Sequence, residues 1–421
     1  MYMEGREEHK SAGHEVSPEW IAFADSLIRF VEREVVPLES EHKRLFSSER
    51  YLFTEDGSFA PELLKLRRHV RMRSAELGFY TAFSLESLGG GGLGAQAAAY
   101  VQRRLNAFAG PGRRLIQTVV LPSAFTNGLS PLLRHLEPEV LSEYREGIAS
   151  GSKTLCFGLS EPDAGSDIFA MKTRAKPEKG GWVLNGTKQW ITNAPYADYA
   201  MIFAVTDTDK ASSRRGGVTG FFVPMQTLGV EVKSMISIMG HLGSDLGTVH
   251  LQDVFVPDSH RIGAVDEGIK VALGGVQAGR LGVAGGCLGL ACWALDRAVE
   301  YARVRKAFDQ PIGHLQSVQN MLADCALDIY ATHSLLQSCA LLVDEDKPCR
   351  MQVSMAKVAA TEAAGRVFDR CIQVHGAMGL TNELRLEEGY RFVRSMRIPD
   401  GTSEIHRRMI GQALINGETL L

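Results

Sequence analysis

The sequence predicts an α+β fold in which a helical unit, a β unit and a helical bundle follow one another along the chain, on three observations. Apolar residues recur mostly at helical spacing from Ser17 to Ser150. Short runs rich in β-branched and aromatic residues take over around Thr154. After Ile262 the helical pattern returns in longer segments. The divisions expected are a mobile tail over 1–16, a helical domain over 17–150, a β domain over 151–262 and a helical bundle over 263–421. At roughly 150 residues per unit, 421 residues accommodate this count.

In the first unit, Ser17 before Pro18 and Trp20 reads as an N-cap with proline at the first helical position. Lys65 to Arg73, KLRRHVRMR, reads as a solvated basic face of a helix, with no function assigned. The cluster at 89–94, GGGGLG, satisfies G-x-G-x-x-G in form. It follows SLES instead of a β-branched strand and has no acidic partner on a second strand, so a loop between helices is expected.

In the second unit, TLCFGLSE, GWVLNGTKQWITN, YAMIFAVTD, GVTGFFVPM, VEVKSMI and GTVHLQDVFVP read as strands. Asn185-Gly186 reads as a two-residue hairpin turn, because a type I′ turn needs positive φ at both central positions. That hairpin places Trp190 and Thr192 near one strand end. The third unit reads as helices over roughly 267–305, 314–344, 350–380, 383–396 and 402–416, with Gly and Ala from Leu273 to Ala291 permitting close helix approach.

Composition narrows the function classes. Hydrophobic residues are 45% and charged residues 23%, which excludes a largely disordered polymer. Lys plus Arg total 46 against 49 Asp plus Glu, and the net charge of −3 gives no electrostatic reason to expect a nucleic acid partner. The seven cysteines form no C-x-x-C pair, so a reducing, cytoplasmic location is expected. The uncharged stretch Leu281 to Leu295 is too short for a membrane span, and the opening MYMEGREEHKSAGHE lacks the apolar stretch of a secretory signal.

No H-E-x-x-H is present, His241, His250 and His260 lack ligand spacing, and no G-x-S-x-G elbow occurs, so neither a metal nor a serine nucleophile is expected. Three segments suit a large cofactor: Phe157-Gly-Leu-Ser-Glu-Pro-Asp-Ala-Gly-Ser-Asp167, Trp190-Ile-Thr-Asn193 and Asp400-Gly-Thr-Ser-Glu-Ile405. Their small and hydroxyl residues let backbone N–H groups approach phosphates or ring edges. Each alone also reads as a turn, a strand or a capped helix start.

Together and in this order they resemble the acyl-CoA dehydrogenase family, from about Trp20 to Ala413. The resemblance implies FAD, a homotetramer, and the same three units: N-terminal helices, a middle β-barrel or sandwich, and a C-terminal four-helix bundle. It implies that Phe157, Leu159, Ser160, Gly165 and Ser166 line the flavin, Ser166 also reaching the acyl carrier. The resemblance further implies that Trp190 and Ile191 lie beside the ring system and that Thr192 donates to flavin N5, which would tune the cofactor. Arg305, Phe308 and Gln316 resemble the element that reaches the FAD of a neighbouring subunit, where arginine suits a pyrophosphate. Gln373, Val374, Gly376 and Ala377 resemble the Q-x-x-G-G element on the adenosine side, with alanine in place of the second glycine. Thr402 and Glu404 belong to the cofactor contacts, and Gln277, Arg280 and Gly401 to the acyl thioester. Gln277 departs from the family's acidic residue there.

Within Ile398-Pro-Asp400-Gly-Thr-Ser403, the resemblance makes Asp400 the catalytic base, one methylene shorter than the family's usual glutamate. Burial beside flavin and acyl chain is expected to raise its pKa. Some family branches place the base where this chain has Gly279. The implied reaction is α,β-dehydrogenation of a fatty acyl thioester, acyl-CoA of medium, long or branched chain, to the trans-2-enoyl thioester, with electron-transfer flavoprotein as acceptor. The alternatives are an acyl-carrier-protein substrate, a nitroalkane-oxidase-like flavin oxidase, and a non-catalytic flavoprotein assembly subunit.

Overall fold

Ser17 caps the first helix as its position before Pro18 requires, its hydroxyl accepting from the Glu19 amide at 3.3 Å. The computed structural model describes residues 16–419 apart from 124 and 240, with the side chains at 234, 235 and 276–278 outside the description. The tail expected over 1–16 therefore lies outside the described residues, Val16 excepted. Helix α1 (Pro18–Phe30) runs on through a wider turn at Val31–Val35. It is followed by α2 (Pro61–Glu76), α3 (Ala95–Ala109) and α4 (Pro138–Ala149). Leu27, Phe30, Leu63, Val70, Tyr100 and Ile116 form the shared core of this helical unit. The glycine cluster at 89–94 is a loop leading into α3, as expected.

The basic run on α2 is not wholly a solvated face. Arg67 is buried over the Phe59 ring and donates to the Arg114 carbonyl at 2.6 Å, and burial pushes its pKa down to about 10. Arg71 donates to the Gly151 carbonyl at 3.1 Å. Two of the bases thus fasten α2 to neighbouring backbone, where a guanidinium satisfies carbonyls that water does not reach.

The β unit is one eight-stranded sheet. Its strands are β1 (Leu155–Gly158), β2 (Arg174–Glu178), β3 (Gly181–Thr192), β4 (Tyr199–Val205), β5 (Val218–Pro224), β6 (Val230–Met235), β7 (Leu246–Pro257) and β8 (Arg261–Ile262). The order is β6-β7-β3-β2-β4-β5-β8, with β1 parallel on β4. The hairpin expected at Asn185-Gly186 is displaced. The chain reverses at Lys179-Gly180, where Gly180 takes φ +83°, and β3 runs straight through 185–186 with a register shift against β7. Asn185 instead exchanges two hydrogen bonds with Asp253, at 2.9 and 3.0 Å, and Gly186 is pressed against Thr173, where a Cβ would lie 2.4 Å from the hydroxyl. The Asn-Gly signal therefore marks a bulge, the other place where an extra residue and close backbone approach favour this pair.

Helices α5 (Gly268–Val304), α6 (Gln316–Asp344), α7 (Arg350–His375), α8 (Leu386–Ser395) and α9 (Ser403–Ile415) make the last unit. The small residues of α5 let it lie against α3: a Cβ at Gly289 would meet the Arg103 carbonyl oxygen at 2.3 Å, and one at Gly285 the Ala99 carbonyl at 2.8 Å. By length and composition α5 and α6 are long and apolar enough to cross a membrane, but α5 is mostly buried within the chain.

Candidate active site

The turn between α8 and α9 brings Asp400 to the junction of α5, α7 and α9. Asp400 takes φ +57° and Gly401 φ +100°. For a non-glycine residue this left-handed conformation costs about 1–2 kcal/mol and is held only where surrounding groups fix it. Three buried donors do so. Arg280 Nε on α5 donates to the Asp400 carbonyl at 3.0 Å, His406 Nε2 on α9 donates to the same oxygen at 3.2 Å, and Lys357 Nζ on α7 donates to the Gly401 carbonyl at 2.8 Å. A carbonyl oxygen only accepts, so His406 must carry its proton on Nε2. Thr402 caps α9, accepting from the Ile405 amide at 3.2 Å, which commits its hydroxyl to the helix.

The carboxyl of Asp400 points toward α5. A Cβ built on Gly279 would lie 3.8 Å from Asp400 Oδ2 and 2.8 Å from the ring of Phe125. Burial raises the Asp400 pKa, with Lys357 and Arg280 pulling it the other way. Burial also pushes Lys357 down to about 8. It lowers His406 to about 4, helped by the positive charges of Arg280 and Lys357, so His406 is neutral at pH 7.

A second group forms at the end of β3. The register shift between Lys188 and Ile191 turns Trp190 outward at φ +64°, leaving this large aromatic residue 53% exposed. Thr192 is exposed beside it, as are Gly165 and Ser166, and Phe157, Leu159 and Ser160 are half-buried. Ile191 is buried in the sheet core, so only its backbone can face a ligand. Beneath this surface lies a buried ion pair that pattern reading missed. Lys188 Nζ meets Glu161 Oε1 at 2.6 Å and the Leu159 carbonyl at 3.3 Å, and Glu161 also accepts from the Thr173 amide at 3.0 Å. It fixes the loop over 157–167 against β3. Phe157 packs against Phe125 with ring centres 5.0 Å apart and the planes tilted by 51°, which joins this group to the wall beside Asp400.

The third group sits on the bundle. Stacking of Tyr301 on His375, 4.5 Å between centres, draws the segment carrying exposed Arg305 and Phe308 to the end of α7, where Gln373, Gly376 and Ala377 are exposed. Gln316 opens α6 nearby in the chain, and the Val374 side chain is buried. Val374 and Tyr301 belong to the apolar cluster of the bundle, whereas Phe157 and Leu159 pack on another, which includes Phe203 and Phe222 of the sheet. Glu404 is exposed in the first turn of α9 and Gly401 lies under Lys357. The Gln277 side chain lies outside the described residues. Arg280, expected to hold the thioester, is buried with its Nε already bound to the base turn.

Two family models match this chain: "Acyl-CoA dehydrogenase, C-terminal domain" over residues 266–415 and "Acyl-CoA dehydrogenase, middle domain" over 156–254. Together they cover more than half of it. The chain belongs to the acyl-CoA dehydrogenase family. Among its relatives, the human mitochondrial short-chain specific acyl-CoA dehydrogenase is 38% identical over 78% of each chain. The caffeyl-CoA reductase–Etf complex subunit CarC of Acetobacterium woodii is 33% identical, over 86% of this chain and 91% of its own. A glutaryl-CoA dehydrogenase from Mycobacterium smegmatis, solved in complex with FADH2, is 25% identical, covers 96% of this chain and 97% of its own, and superimposes with a TM-score of 0.78.

The protein is therefore an acyl-CoA dehydrogenase-family oxidoreductase whose cofactor is FAD, and its three-unit fold is the acyl-CoA dehydrogenase fold. The residues present fit a flavin. An indole 53% exposed at a positive-φ position offers a flat platform, with exposed Thr192 two residues on and, on the loop that Glu161 ties to β3, Gly165, where an added Cβ would meet no atom within 4 Å.

Proposed function

We propose that this chain removes the α-proton of an acyl-CoA thioester with Asp400 and delivers the β-hydrogen to the flavin, giving the trans-2-enoyl thioester. The observation that carries the reading is the Asp400 turn. A carboxyl with a raised pKa is held in a left-handed conformation next to Gly279, where a Cβ would lie 3.8 Å from its Oδ2. FAD, when bound, accepts the hydride. Phe157, Leu159, Ser160, Gly165, Ser166, Trp190 and Thr192 would hold its ring and pyrophosphate, and Thr192 would orient it. Asp400 takes the proton, and its raised pKa narrows the gap to the weakly acidic α-carbon.

We infer a short acyl body, in place of the medium, long or branched chains that the resemblance implies, because the Phe125 ring would lie 2.8 Å from a Cβ at Gly279 and narrows the space next to the base. The short-chain name of the human relative supports this. Electron-transfer flavoprotein is the proposed acceptor, supported by the relative named as part of an Etf complex. We place the enzyme in the cytoplasm as a homotetramer. The oligomer is supported by the exposure of Arg305, Phe308, Gln316, Gln373, Gly376 and Ala377 on the helical unit, while Trp190 stands on a strand of the sheet, which suits service to a neighbouring copy's FAD.

Anaerobic bleaching of the purified flavoprotein by short, medium, long and branched acyl-CoAs, with nitroethane alongside, tests the reading. Short acyl-CoAs are expected to bleach it fastest. Asp400→Asn should slow that reduction roughly 10²- to 10⁴-fold while acyl-CoA still binds. Near-unchanged reduction in the variant removes Asp400 from the mechanism, and bleaching by nitroethane alone would establish an oxidase.

A further inference from the structure

Lys357 has a place in this site that neither the sequence motifs nor the comparisons assign. It stands in the apolar stretch Met355-Ala-Lys-Val-Ala359 of α7, fully buried, and its ammonium is spent on the Gly401 carbonyl. Removing an ammonium from water is costly unless the charge is used. Five residues further along α7, Glu362 binds Arg397 at 3.2 Å and Arg407 at 2.7 Å, one on each side of the turn, so α7 supports the turn at its centre and both shoulders.

We propose that Lys357 is the positioning residue of the base: by holding the Gly401 carbonyl it keeps Asp400 in the left-handed conformation that directs its carboxylate along Gly279, and its positive charge keeps that carboxylate ionised. The proposal rests on Asp400 being the base. The charged and titratable groups facing the turn are Arg280 from α5, Lys357 from α7 and His406 from α9. Cys287 and Arg397 face Lys357, and Arg350 faces Arg280. His406 is neutral at working pH, so Lys357 and Arg280 supply the positive field at Asp400. A neighbouring cation favours the charged carboxylate, so its removal raises the pH at which Asp400 ionises.

The test is Lys357→Met in the FAD-loaded enzyme, with Lys357→Arg and Asp400→Asn in parallel. The first-order rate of flavin reduction at saturating acyl-CoA should fall roughly 10- to 100-fold, the scale of a misplaced reacting group, with the acyl-CoA Kd within about threefold. The acid limb of the pH–rate profile should move up by about one pH unit and return with Lys357→Arg. A readout independent of turnover is the carboxyl infrared band assigned by difference from Asp400→Asn, which should titrate at higher pH in Lys357→Met. If Lys357→Met does not retain FAD, Lys357→Gln, which keeps a donor and drops the charge, should still move the acid limb and the carboxyl band to higher pH. A rate within threefold of the parent and an unmoved band would overturn the proposal, as would a weaker Kd at unchanged rate. Should Asp400→Asn stay active, the base reading itself falls and takes the proposal with it.

Discussion

His406 shows how much of this site is carried by single buried groups. Its Nε2 is committed to the Asp400 carbonyl and its buried Nδ1 has no hydrogen-bond partner among the described residues, so a second proton on the ring finds no acceptor among them. With its pKa lowered from about 6.5 to about 4, the unfolded chain binds a proton over that window which the folded chain does not. Stability from this group is therefore present above pH 6.5 and lost as pH falls toward 4, by roughly 3 kcal/mol in all. Asp400, with its raised pKa, acts in the opposite sense as pH falls. In His406→Gln, which keeps a donor and cannot titrate, the fall in thermal midpoint between pH 6.5 and 4 should be smaller than in the parent. An equal fall in both proteins would show that His406 does not titrate there. Asp400 was legible from its motif, but Lys357, His406 and the Lys188–Glu161 pair were not. The one signal for Lys357 was a lone charge among alanines and apolar residues on a helix.

Among the elements, α5 and α7 place the site, and their glycines are not equivalent. At Gly289 an added methyl would overlap the Arg103 carbonyl at 2.3 Å, whereas at Gly365 on α7 it would meet nothing within 4 Å. Alanine in a helix gains up to about 1 kcal/mol over glycine, while overpacking costs about 1–3 kcal/mol. Thermal unfolding should therefore rank Gly365→Ala above the parent and Gly289→Ala below it. The reverse order would mean that α3 and α5 are not in close contact. Helix positions were legible because the apolar period is a local property: five expected segments of the bundle correspond to α5–α9. The Asn185-Gly186 turn was misread because the same dipeptide serves a hairpin or a bulge, and the choice lies with β7, sixty-odd residues away.

At the scale of the whole molecule, the three units are joined by specific polar bonds as well as by apolar contact. Arg114 of the first unit meets His241 of the second at 3.1 Å and Glu388 of α8 at 3.6 Å. Asp344, at the end of α6, accepts from the Ala95 and Gln96 amides at 2.5 and 3.0 Å, so the bundle supplies the N-terminal cap of α3 in the helical domain. A cap is worth about 1 kcal/mol. Asp344→Ala should lower the unfolding free energy by that amount, read as a lower denaturant midpoint at unchanged slope if the units unfold together. A second transition in the variant would show that they do not.

Sequence alone determined the order of helical, β and helical units, the resemblance to the family and the candidacy of Asp400, because helical period, β-branching and short motifs are written in neighbouring residues. Tertiary structure decided what surrounds Asp400. Its carbonyl is held by Arg280, 120 residues earlier, and the next carbonyl by Lys357, 44 residues earlier. Desolvation and charge pairing, which set the acidity of that carboxyl and the strain its backbone tolerates, exist only once those distant segments have packed together.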